Sequence, residues 1–129
     1  MSAMSYYLQG KLLDHVLRGN EPDTSLLQPS GVYVSLHDGD PEKTGENEIE
    51  GGGYIRQQAY FDDPSNGTAL TTEDLVFEDL EATTVTWVGI WDSESGGNFL
   101  YQGFLATSRV VAAGENLIFP SHSFGVAHE

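Results

Sequence analysis

Cysteine is absent from this 129-residue chain. That removes disulfide frameworks, thiolate nucleophiles and cysteine-based metal centres together, and leaves the redox compartment open. Basic residues are scarce. Five lysines and arginines stand against twenty aspartates and glutamates, for a formal net charge of −15. So acidic a chain is a poor partner for nucleic acid, whose phosphates must be neutralised by cationic side chains. Long apolar runs are missing too. No segment approaches the roughly 18 uninterrupted apolar residues of a membrane span. The opening Met-Ser-Ala-Met-Ser-Tyr-Tyr-Leu has no basic stretch ahead of an apolar core, so the chain is expected to be soluble, off the membrane and without a standard secretion signal. No heptad, repeat or low-complexity tract is visible. What remains is length enough for one domain to bury a core without staples.

The first element that the pattern predicts is a helix from about Tyr6 to Arg18, where Leu8, Leu12, Leu13, Val16 and Leu17 follow the three-and-four spacing of an apolar stripe. Ser5 is its candidate N-cap and Gly19-Asn20 its stop, and Asp14 and Arg18 stand one turn apart as a pairing. The stripe must bury against its own domain or against a neighbouring subunit. Glu21 to Ser30 reads as a connector rich in turn formers.

Beyond it, Val32, Val34 and Leu36 alternate with Tyr33 and Ser35 as in a strand. Further strands are predicted at Tyr54–Phe61, Asp74–Phe77, Thr84–Trp91, Asn98–Ala106, Asn116–Phe119 and Ser123–Ala127, separated by clusters such as Asp62-Asp63-Pro64-Ser65-Asn66-Gly67 and Asp92-Ser93-Glu94-Ser95-Gly96-Gly97. Short strands at this spacing after one helix predict a mainly β chain, an antiparallel β-sandwich or jelly-roll-like domain. The division is 1–20 for the helix and 21–129 for the sandwich.

Gly51-Gly52-Gly53 is the most informative local feature. Three glycines permit backbone angles and close chain approach that a side chain forbids, as the chain turns into the strand that follows. In that strand Tyr54, Arg56 and Gln58 share one face and Ile55, Gln57 and Ala59 the other, and each face mixes apolar and polar residues.

The candidates for chemistry are weaker. Asp38, Asp40, Glu42, Glu46, Glu48 and Glu50 crowd one loop, which departs from the twelve-residue calcium pattern and reads first as a solvated loop, then as a calcium site or a docking loop. His15, His37, His122 and His128 lack a zinc spacing, so neither metal nor cofactor is expected. Ser121-His122-Ser123 has no strained elbow around it, and nothing marks a glycosidase carboxylate pair. Trp87, Trp91, Tyr54, Tyr60 and Tyr101 offer aromatic faces for a sugar, although Trp87 and Trp91 on one strand face more often fill a core.

The order of motifs carries more than any one of them. Leu12-Leu13-Asp14-His15-Val16-Leu17 is followed by Val32-Tyr33-Val34-Ser35-Leu36 with Asp40-Pro41, then by Gly51-Gly52-Gly53-Tyr54-Ile55-Arg56-Gln57. Val85-Thr86-Trp87-Val88-Gly89-Ile90-Trp91-Asp92, Gly96-Gly97-Asn98-Phe99-Leu100-Tyr101 and Gly103-Phe104-Leu105 complete the series. This order, from about Tyr6 to Phe119, resembles that of small virion proteins of tailed bacteriophages commonly labelled tail fibre proteins. It departs at Phe77-Glu78-Asp79-Leu80, where a simpler strand end and turn is expected, and from Pro120 to Glu129.

The resemblance implies a non-catalytic structural role with no catalytic residues. A long fibre shaft needs heptads, β-helical repeats or many domains, and the chain has none of these. Capsid decoration by a cement subunit is therefore the first expectation, a tail-associated subunit the second and a host-glycan-binding module the third. The expected partners are other virion proteins, major capsid or tail, and further copies of the chain, with a trimer as the expected arrangement and assembly in the host cytoplasm. Leu8, Leu12, Val16, Asp40, Tyr54 and Arg56 are the candidate partner-interface residues.

Overall fold

The computed structural model describes residues 2–17, 29–65 and 67–127, apart from the side chains of Ser2, Ala3 and Ala127. The predicted helix stop at Gly19-Asn20, the Asp14–Arg18 pairing, Glu21–Gln28 of the connector, Asn66 and His128 lie outside the described residues.

The fold is an antiparallel β-sandwich with one helix. Elements run β1 (Ser2–Met4), α1 (Tyr6–Leu17), β2 (Val32–His37), β3 (Gln57–Ala59), β4 (Thr68–Leu70), β5 (Leu75–Leu80), β6 (Thr83–Trp91), β7 (Phe99–Val111), β8 (Glu115–Phe119) and β9 (Gly125–Ala127). One sheet has the order β1-β7-β6-β2-β3, and two ribbons, β4-β9 and β5-β8, complete the domain.

Register decides which side chains meet. Val34 stands opposite Ile90 and Leu36 opposite Val88, and this face of the sheet shares the buried core with Leu75 and Phe77 of β5, Leu117 and Phe119 of β8, and Phe124. Phe119 meets Phe77 and Phe124 edge-on, with ring centroids 6.2 and 5.8 Å apart. Such edge-to-face pairs set positive ring edges against negative faces. The opposite face carries Ser35 beside Gly89 and Tyr33 beside Trp91, and it is buried as well, because the loop from 38 to 48 folds over it.

The helix begins where Ser5 caps it. The Ser5 hydroxyl accepts the Leu8 backbone N–H at 3.1 Å and donates to the Phe99 carbonyl, while the Ser5 backbone N–H donates to the Leu100 carbonyl at 2.8 Å. The cap thus also rivets the chain to β7. Ser2–Met4 just before it adds an edge strand to the main sheet, opposite Tyr101–Gly103, so the N-terminal segment is tied to the sandwich before the helix starts.

At Phe77-Glu78-Asp79-Leu80 a simpler strand end was expected. Instead β5 runs on to Leu80 through an irregularity in its pairing with β8. Asp79 takes a left-handed conformation, φ 51°, which turns Leu80 back into the core at 1 % exposure. The glycine triplet is the other half of the same contact. The Gly53 N–H donates to the Asp79 carbonyl at 2.6 Å, and a Cβ on Gly52 would lie 2.7 Å from that oxygen. Only glycine backbone lets the two segments come so close.

Candidate partner interface

Five of the six sequence-predicted interface residues fall into two groups that the fold keeps apart, and the sixth, Asp40, stands alone on a loop. Tyr54 and Arg56 turn inward and converge on Glu48. The Tyr54 hydroxyl donates to Glu48 Oε2 at 2.6 Å and accepts the Leu36 N–H at 3.1 Å. Arg56 grips the same carboxylate with Nε and Nη2, each at 2.9 Å. Its Nη1 donates to the carbonyls of Ser93 at 3.0 Å and Gly96 at 2.8 Å, and the guanidinium lies 3.7 Å from the centre of the Trp91 ring. A forked, charge-assisted pair of this kind is strong and directional.

Glu48 belongs to the loop predicted as solvated, yet burial and pairing govern it. Burial pushes its carboxyl upward, but hydrogen bonds from Arg56 and Tyr54 outweigh that and hold it below the usual range. Burial, and then the Glu48 carboxylate, drive the Tyr54 phenol well above its ordinary value.

Beside this cluster lies a second polar chain in the interior. His37 Nδ1 is 2.7 Å from the Glu46 carbonyl, an acceptor only, so that nitrogen carries the proton. Nε2, 2.7 Å from Ser35 Oγ, is then the acceptor for the serine hydroxyl, which itself accepts the Trp91 indole N–H at 2.9 Å. Each group is satisfied only while the imidazole is neutral. Burial pulls the His37 pKa below 6.5 in agreement with this.

The loop that supplies Glu46 and Glu48 is compact. The Pro41 carbonyl accepts the N–H groups of Gly45 and Glu46 at 2.9 and 3.0 Å. Asp40, at the exposed tip, accepts the Glu42 N–H at 2.8 Å and through its own carbonyl an Asn47 amide N–H at 2.8 Å. Among the described residues, no group of three or more His, Cys, Asp or Glu is placed to hold a metal. No described helix is long and apolar enough to cross a membrane.

Leu8, Leu12 and Val16 form the outward group. No residue of α1 is buried. Leu8 is half-buried against the core and Leu12 is half-buried, whereas Val16 is 63 % and Leu17 74 % exposed. The helix packs chiefly on β7 and β1, through its first turn, and presents its later apolar residues to the outside.

The aromatic side chains separate in the same way. Trp91, under the loop and beneath Arg56, is interior. Trp87 is half-buried and stacks edge-on with Phe104 at 5.6 Å, and Phe104 is 55 % exposed. Substituting Trp91 therefore perturbs the fold and does not probe a surface. The periodicity of β6 could not separate the two tryptophans, because loop 38–48 covers only one of them.

Residues 3–127 match the family described as Podophage GP4 fiber I protein gp80. No curated protein matches the chain.

Proposed function

The chain belongs to the family described as Podophage GP4 fiber I protein gp80, a phage fibre structural family, and on that premise we propose that it is a tail-associated, fibre-type structural subunit of the virion. The observation that carries this reading is the extent of the match, which runs through the helix and every strand from β2 to β9. Capsid decoration, the first expectation from sequence, rested on the lack of shaft-forming repeats. A fibre also needs compact modules at its joints, collar or tip, and a sandwich with an outward helix suits those positions. The role is architectural and non-catalytic. The subunit works beside other tail proteins and further copies of itself, a closed trimer being the arrangement that small repeated subunits favour.

Gold-labelled antibody against the protein, applied to intact particles, tests the placement. Label confined to the tail is the expected result. Label spread over the capsid would overturn the reading and restore decoration.

A further inference from the structure

Carboxylates are unevenly spread over this fold. The first twenty residues contain one acid, Asp14, and residues 95–114 contain none, although the chain as a whole has twenty. Within these stretches β1, α1 and β7 are neighbours in space, since β1 pairs with β7 and α1 packs on both. Lys11 and Arg109 belong to the same stretches. Lys43 borders them, its backbone N–H held by the Gln102 side chain at 2.6 Å and its ammonium 5.9 Å from the centre of the Tyr6 ring. The same elements carry exposed apolar side chains: Leu13, Val16 and Leu17 on the helix, and Phe104 and Val110 on β7, Val110 at 80 % exposure.

We infer that this acid-poor face of α1, β1 and β7 is where a second copy of the chain docks. The inference rests on the reading of the protein as a repeated structural subunit. Two bodies that each carry −15 repel one another, and at physiological salt that repulsion reaches only about 8 Å. Contact is therefore opposed mainly by carboxylates close to the meeting surfaces, and α1, β1 and β7 themselves supply only Asp14. A cationic partner would be drawn elsewhere, to acidic segments such as 73–81. A second copy is the partner for which a near-neutral, apolar face on a polyanion is an advantage.

The mode of contact also follows. Beyond the three positions covered by β1, the outer edge of β7 has no strand partner among the described residues. Strand addition there is disfavoured. Between the pairs Val85–Arg109 and Trp87–Phe104 a two-residue step in β6 faces a five-residue step in β7, and such a bulge breaks the row of hydrogen-bonding groups that an added strand needs. The copies meet through side chains of the helix and of β7.

Sedimentation equilibrium on the full chain tests this, with circular dichroism confirming that each variant folds. Wild type should associate, and more tightly at high than at low salt. Val16→Asp and Val110→Asp should each weaken association about a hundredfold by setting like charges against one another. Ile55→Asp, an equally conservative test of an exposed apolar site beside the acidic loop, should leave it unchanged. A wild-type monomer at all concentrations and salts overturns the inference, as does association that both face variants retain or that weakens with salt. Tail label on a protein that stays monomeric would overturn this inference alone. Capsid label on a protein whose association fails in the face variants would overturn only the proposed location.

Discussion

Replacing Arg56 by methionine tests whether the cluster around Glu48 holds the fold together. The substitution keeps an apolar stem over Trp91 but removes the grip on the Glu48 carboxylate and on the carbonyls of Ser93 and Gly96. Removing one partner of a buried ion pair costs about 3–5 kcal/mol, because the other charge is left uncompensated. Glu48 keeps the Tyr54 hydroxyl, and its side chain is 22 % exposed, so the lower end, about 3 kcal/mol, is expected. Domains hold only about 5–15 kcal/mol in total, which makes this a severe loss. With a urea slope of roughly 1.5 kcal/mol per molar, the unfolding midpoint should fall by about 2 M. Adding Glu48→Gln to the variant removes the stranded charge, so the double variant should be more stable than the sum of the single losses predicts. A loss of about 1 kcal/mol or less, the size of an exposed pair, or strictly additive losses would refute the argument that Arg56 and Glu48 act as one buried unit.

Two further outcomes are expected. Since the folded pKa of His37 lies below 6.5, the unfolded chain binds its proton first. The stability it contributes is complete above about pH 6.5 and is lost as the pH falls through the lower folded value. Urea midpoints should therefore show the advantage of wild type over His37→Asn shrinking from pH 7 to pH 5, and a constant advantage would contradict the neutral-imidazole chain. Two glycine-to-alanine changes should act with opposite sign in thermal denaturation. Gly45 has φ 93° and its Cβ would sit 2.5 Å from the Trp91 ring, so Gly45→Ala should destabilise by about 2–4 kcal/mol. Gly10 lies mid-helix with open space around it, so Gly10→Ala should stabilise by about 0.5–1 kcal/mol.

The parts of the fold legible in the sequence are those in which one strand carries its own signal. Val32–His37 alternates and Thr83–Trp91 is rich in β-branched and aromatic residues, and Ser5 before an apolar stripe marks the helix cap. Ser2–Met4 and Thr68–Leu70 went unread, because three-residue strands are defined by their neighbours and not by their composition. The sequence pattern of β7 stops at Ala106. The polar run Thr107-Ser108-Arg109 looks like a turn and is instead strand that carries the bulge. The Glu48–Tyr54–Arg56 cluster is half legible: Tyr54 and Arg56 stand on one face of a predicted strand, but Glu48 is one of six acids in its loop, and nothing local says which of them the chain folds inward.

The two tryptophans, four residues apart on β6, stand in different surroundings. Trp91 is sealed by loop 38–48, its indole N–H tied to Ser35 and a guanidinium on its face, so its fluorescence follows the integrity of the domain. Trp87 lies half-open against Phe104, so its emission follows the solvent access of that surface. The natural chain thus carries an interior and a surface optical signal on a single strand.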